Sequence, residues 1–140
     1  MIRGSCLCKT VQFEITGGTT DIGMCHCSKC RKVSGVASNA NLMTGRDNLR
    51  WLSGEDQLMK FALPTGWGPW RCAVCGSPVP KLRPEGDAWW VPVGLLDSDP
   101  GVRIKGHIFV GSKAPWDEIA GDAPQLVDGF GSRRLDPKRG

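Results

Sequence analysis

Polar and apolar residues alternate along KTVQFEIT, residues 9–16, with Val11, Phe13 and Ile15 on one side and Gln12, Glu14 and Thr16 on the other. A period of two belongs to a half-buried β-strand. Similar short runs recur at LRWLS (49–53), QLMKFAL (57–63), AWWVPVG (88–94) and GHIFVG (106–111), set apart by clusters of Gly, Pro, Asp and Ser. Nowhere do apolar positions recur at helical spacing over the length of an ordinary helix. Helix is expected only as short pieces, one from Cys27 through Arg31 and one around Trp116 to Ile119. The pattern predicts a mainly β fold with few short helices.

Composition sharpens this reading. Nineteen glycines and ten prolines in 140 residues suit many short elements joined by tight turns and exclude a helical bundle. The length suits one domain, expected over residues 1–131, followed by a flexible basic tail at 132–140. No uncharged stretch exceeds the 13 residues from Val33 to Gly45, and MIRGSCLCKT has no apolar leader core, so a cytoplasmic chain without an anchor is expected. Six tryptophans, at 51, 67, 70, 89, 90 and 116, are expected mostly in the core. Trp67 and Trp70, in the Gly- and Pro-rich TGWGPW, equally suit an exposed aromatic wall.

The formal charge is +4, but residues 132–140 hold four bases and one acid and account for +3 of it. The remaining +1 over residues 1–131 provides no basic face, which argues against a nucleic-acid partner.

Cysteine changes the picture most. Seven stand in three tight groups: Cys6 and Cys8 in CLC, Cys25, Cys27 and Cys30 in CHCSKC, and Cys72 and Cys75 in CAVC. Cysteines two or three positions apart are poor disulfide partners but point two sulfurs at one ion, and an odd count disfavours a closed disulfide set. A structural zinc takes four protein ligands and a catalytic zinc takes three, leaving one position open. Seven divides as four plus three. The triplet clasps one ion locally, whereas the two pairs complete a site only together, joining the start of the chain to a turn more than sixty residues away. Gly76, directly after Cys75, suits a zinc knuckle because glycine supplies a positive φ. The CLC pair taken alone is equally the product of an alternating strand. Two zinc ions with seven thiolates would bring the whole chain to about +1.

His26, between two of the triplet cysteines, either closes that site as a fourth ligand or, on extended backbone, faces away from both neighbours; the second is favoured. His107 reads as a strand histidine beside a cleft rather than a catalytic group. Lys29, Arg31 and Lys32 crowd the triplet, either as a solvated basic turn or as contacts for the carboxylates of an acidic thiol, with planar Arg31 the better fork. Ser28, Ser34 and Asn39 are candidate oxyanion donors, and equally ordinary partners for backbone groups.

With these residues in place, the chain resembles the glutathione-dependent formaldehyde-activating enzyme family, also called Gfa or centromere-protein-V-like. The resemblance rests on GSCLCKTVQFEI, CHCSKCRKVSG, CAVCGSPV, HIFVGSKAPWD and PQLVDGFG, in that order. It implies a β-tent fold, a structural zinc on Cys6, Cys8, Cys72 and Cys75, and a second zinc on Cys25, Cys27 and Cys30. It also implies a carbon–sulfur lyase of the S-(hydroxymethyl)glutathione synthase type, with glutathione and formaldehyde as partners. No glutathione-binding residue carries over with it.

Three thiolates make a zinc too electron-rich to activate water well, yet leave an incoming thiolate nucleophilic. That suits addition of a small thiol, glutathione-like, to formaldehyde or a similar small aldehyde. The catalytic candidates are therefore Cys25, Cys27 and Cys30, with Arg31 beside them. The competing expectation is a zinc-stabilised interaction module in which the triplet is closed.

Overall fold

The computed structural model describes residues 1–135. Their elements are β1 (Ile2–Ser5), β2 (Gln12–Ile15), β3 (Ile22–Cys25), α1 (Ser28–Ser34), β4 (Asn39–Gly45), β5 (Leu49–Ser53), β6 (Leu58–Lys60), β7 (Trp70–Cys72), β8 (Lys81–Leu82), β9 (Ala88–Pro92) and β10 (Ile104–Ile108). Short 3-10 turns follow at Arg46–Asn48, Glu55–Gln57, Val93–Leu95 and Val110–Ser112. The fold is mainly β with one α-helix among the described residues, and no described helix is long and apolar enough to cross a membrane.

Among the described residues the chain gathers into two compact units: Met1–Thr20 with Asn41–Val102, and Asp21–Ala40 with the stretch from Arg103 onward.

In the first unit, β2 lies antiparallel between β1 and β5, with Phe13 opposite Gly4 on one side and Trp51 on the other. A Cβ on Gly4 would stand 2.3 Å from the Phe13 ring, so only glycine lets that ring lie over β1. β4 and β8 flank β9 antiparallel, and β6 pairs with β7 as a hairpin. Val11, Phe13 and Ile15 are buried, as alternation requires. Glu14, expected on the water side, is buried too, because Arg50 forms an ion pair with it and Arg3 approaches to 3.8 Å. A carboxylate is tolerated inside only with such partners.

The tryptophans depart from their expected place. None is fully buried; five are half-buried and Trp116 is 70% exposed. Phe13, Trp51, Trp89 and Trp70 instead form a chain of edge-to-face contacts with centroids 5.6–6.2 Å apart, linking β2, β5, β9 and β7. Lys60 lies over Trp70, and Lys81 over Trp67 and Trp90, so cations cover the wall that TGWGPW presents. The buried cluster of this unit is Cys6, Val11, Cys72 and Val79, with Trp51, Leu58, Trp70 and Cys75 packed on it. Two of its four buried residues, Cys6 and Cys72, are therefore cysteines of the four-cysteine group.

In the second unit, β3 and β10 run parallel, with Ile108 opposite Cys25. The ladder continues one residue further, since His26 N donates to Ile108 O at 3.0 Å. Residues 124–128 cover the other edge of β10, with His107 N donating to Pro124 O and Leu126 N to His107 O, each at 2.8 Å. The chain returns along that segment: Val127 N donates to Arg133 O and Leu135 N to Gln125 O. The expected flexible tail thus begins with hydrogen-bonded residues at 132–135, and its remainder, 136–140, lies outside the described residues. The helical piece expected at Trp116 to Ile119 is no helix; a turn at Pro115 and Trp116 stands there.

Candidate functional site

Two turns of the first unit build the four-cysteine group. After β1, Lys9 N donates to Cys6 O at 3.1 Å, and after β7, Gly76 N donates to Cys72 O at 2.8 Å. Each turn places a left-handed residue directly after its second cysteine, Lys9 at φ 64° and Gly76 at φ 78°. The positive φ expected at Gly76 is seen, and the CLC pair, ambiguous as sequence, forms a second turn of the same kind. All four sulfurs lie within 4.8 Å of one another, with Cys6 to Cys8 at 3.6 Å and Cys8 to Cys72 at 3.9 Å. Zn–S bonds of about 2.3 Å in a tetrahedron put sulfurs about 3.8 Å apart, so the four fit one soft ion.

The protein tunes these thiols unequally. The Thr10 hydroxyl, 3.1 Å from Cys8, and the Ser77 hydroxyl, 3.3 Å from Cys75, hold those thiols below their ordinary range, Cys75 down to about 5. Burial pushes Cys6 up to about 11. Neither hydroxyl was foreseen, although each stands two residues after a cysteine, an offset shared by both pairs.

The three-cysteine group belongs wholly to the second unit. Cys25 ends β3, Cys27 caps α1, and Cys30 is the buried residue of that helix. Cys30 N donates to Cys27 Sγ at 3.4 Å, a capping bond that ties one sulfur to the helix start. The helix closes with Gly35 at φ 73° and Gly35 N donating to Arg31 O, and Arg31 and Lys32 in its last turn suit its dipole. The three sulfurs lie within 4.8 Å of one another, and no other His, Cys, Asp or Glu of the described residues joins them at that distance. The hydrogen bond from Cys30 holds Cys25 down to about 6, and the same bond pushes Cys30, the donor, well up.

His26 is turned away from the sulfurs, as extended backbone demands. It is 2% exposed, its Nε2 is 3.0 Å from Nδ1 of buried His107, and its Nδ1 is 3.6 Å from the Asp117 carboxylate. Burial pushes both imidazoles below their ordinary pKa. His107 thus stands not beside a cleft but inside, paired with the residue between two of the candidate ligands. Sequence reasoning gave Asp117 no role, although it ends the HIFVGSKAPWD stretch that begins at His107.

Of the basic residues, Lys29 and Lys32 are exposed on α1, while Arg31 is half-buried and donates from Nη2 to Ser112 O at 3.3 Å, with its Nε buried and without a hydrogen-bond partner. One arm of the expected carboxylate fork is therefore engaged by backbone. Ser34 donates to Cys30 O at 2.7 Å, an ordinary bond within the helix; Ser28 is exposed at its start, and Asn39 opens β4.

The family model described as glutathione-dependent formaldehyde-activating enzyme matches residues 1–112, a span that contains all seven cysteines. No curated protein matches the chain. Among solved structures, a Rhodobacter sphaeroides protein from a structural genomics programme is similar at a TM-score of 0.58 and 24% identity, over 73% of this chain and 98% of that one, a likeness of fold. With the family model spanning both cysteine groups, the chain belongs to the glutathione-dependent formaldehyde-activating enzyme family.

Proposed function

We propose that this protein is a zinc-dependent carbon–sulfur lyase-type enzyme that adds a small thiol, glutathione-like, to formaldehyde or a similar small aldehyde. The observation that carries the reading is the inequality of the two groups: four sulfurs gathered at one place, three at the other with no further protein ligand among the described residues. Zinc suits both donor sets, since thiolates are soft and the sulfur spacings match a tetrahedral ion. At the triplet such an ion would supply an open fourth position and a low pKa for a thiol bound there.

The chain's own residues do the rest. Cys25, Cys27 and Cys30 hold three thiolates on one side, fixed by a strand end, a helix cap and a helix interior. A thiol delivered beside them loses its proton and its sulfur attacks the aldehyde carbon. The C–S bond forms, the carbonyl π pair moves to oxygen, and that oxygen takes up a proton to give the hydroxymethyl thioether. Lys29, Lys32 and the free arm of Arg31 offer positive charge for the carboxylates of an acidic thiol. The reaction matches the activity for which the family is named.

Glutathione titrated into the cobalt-loaded protein should shift the absorption of the three-cysteine site and leave that of the four-cysteine site unchanged. Hydroxymethyl adduct should then form faster with enzyme than in the appreciable spontaneous reaction. A cobalt spectrum indifferent to every thiol at millimolar concentration would reject the enzyme in favour of a closed, zinc-stabilised binding module.

A further inference from the structure

Two buried histidines touching one another need a reason. Imidazoles are taken from water only at a cost, and the usual return is a hydrogen bond that fixes tautomer and ring orientation. Here the middle member, His26, is the residue between Cys25 and Cys27, so whatever fixes its ring also fixes the backbone that carries both sulfurs. Its main chain is already held, with N donating to Ile108 O. Its side chain is held at Nε2 by His107 at 3.0 Å, while Nδ1, buried without a hydrogen-bond partner, faces the Asp117 carboxylate 3.6 Å away.

The polarity of this chain follows from its end. A carboxylate attracts a proton on the nitrogen that faces it, so the charge of Asp117 favours the tautomer with the proton on Nδ1 and a lone pair on Nε2. His107 Nδ1–H then donates to it. The two outer members are anchored in turn. His107 lies on β10, whose far edge is covered by residues 124–128, and Asp117 is tied through its carbonyl, which accepts from Lys113 Nζ at 2.8 Å, and its amide, which donates to Ala114 O at 3.1 Å. Between His107 and Lys113 the chain passes through Phe109 at φ 56°, a conformation that costs a bulky residue energy and persists only where the surroundings impose it.

We propose that His107 and Asp117 are positioning residues of the three-cysteine site, clamping His26 so that Cys25 and Cys27 present their sulfurs in a geometry ready for the ion. The inference rests on the preceding reading that a metal occupies that group. Neither residue touches the reacting atoms; both act through His26, as partners behind metal ligands do elsewhere.

The test compares wild type with His107→Ala, His107→Asn and Asp117→Asn, each loaded with cobalt and titrated with a chromophoric chelator so that the two sites are read as separate steps. His107→Ala should weaken the three-cysteine site by about 10–100-fold and alter its cobalt absorption, with the four-cysteine step unchanged. His107→Asn, whose amide reaches the place of Nδ1, should recover part of that loss, and Asp117→Asn should weaken the same site alone. A purely structural role would lower thermal stability and leave the affinity and spectrum of the triplet as in wild type; that result overturns the proposal. Should His107→Ala fail to fold, Asp117→Asn decides, because it keeps shape at a partly exposed position, and wild-type affinity in that variant overturns the proposal equally. A wild-type triplet that takes up no cobalt would instead overturn the metal reading itself, and this inference with it.

Discussion

The two cysteine groups are built from the same residue type by opposite means. Cys6, Cys8, Cys72 and Cys75 come from two turns far apart in sequence, and Cys6 and Cys72 share the buried cluster of their unit with Val11 and Val79. Cys25, Cys27 and Cys30 come from six consecutive residues at a strand-to-helix junction. An ion in the first group closes a long loop and fastens a core; an ion in the second fastens nothing that the strand and the capped helix do not already hold. On the proposed reading, folding energy and chemistry would thereby fall to different metals. The unequal division leaves the open position where unbinding a ligand costs the fold least.

The sharpest way to break this comparison is to remove one ligand from each side. Cys75→Ser should destabilise the protein by on the order of 5 kcal/mol or more, or prevent folding, because binding energy at a loop-closing site is folding energy. Cys27→Ser should leave the thermal unfolding temperature within a few degrees of wild type. Equal losses in the two variants would make the triplet structural as well.

The next contrast is in protonation. In metal-stripped protein, Cys25 sits at about 6 against an ordinary 9.0, held there by the hydrogen bond from Cys30. A depressed thiol adds stability in the thiolate form that is present in full above pH 9.0 and is lost as the pH falls through about 6. Alkylation of Cys25 should accordingly be half-maximal near pH 6, and Cys30→Ala should move that midpoint upward. A wild-type midpoint near the ordinary value would contradict the arrangement of the three sulfurs.

How much of this was legible in the sequence depended on whether the signal was local. Ligand counting separated the cysteines into four and three because spacing and coordination number are both visible along the chain. Alternation found β2 and β5, the runs at 57–63 and 88–94 each contain a strand, and the run at 106–111 overlaps the end of β10. It missed β4, whose NANLMTG mixes polar residues with apolar ones, and β1, β3, β7 and β8, where no alternating run of more than four residues lets a period register. It put Glu14 in water because alternation knows nothing of Arg50 on the neighbouring strand. It turned His26 away from the sulfurs correctly, but the partners that receive it, 81 and 91 positions away, belong to the tertiary fold alone. The tryptophans misled for a related reason. Short strands enclose few indoles, so Trp51, Trp70 and Trp89 meet edge to face, lysines lie over Trp67, Trp70 and Trp90, and Trp116 stays exposed.

Among smaller effects, Arg31→Ala should weaken binding of an acidic thiol by about 3–10-fold relative to a neutral thiol of similar size, a modest figure because the site is partly exposed and Ser112 already engages one arm of the guanidinium. Equilibrium binding of the pair to the cobalt-loaded variant measures it, and equal weakening of both thiols would assign Arg31 to packing. The smallest effect lies at the first turn, where Lys9 occupies the left-handed position that Gly76 occupies in the second. Lys9→Gly should stabilise the protein by about 0.5–1 kcal/mol, the relief of that conformation exceeding the added freedom of the unfolded chain. A lower unfolding temperature would show that the Lys9 side chain contributes more than its backbone costs.

The most direct test of unequal metals is to count them. Protein purified without chelator should hold about two zinc ions per chain, a mild chelator should remove one while the circular dichroism stays native, and Cys27→Ser should hold about one and remain folded. A single ion in wild type with all three triplet thiols freely reactive, or two ions lost together with the fold, would contradict the division of the seven cysteines into a closed site and an open one.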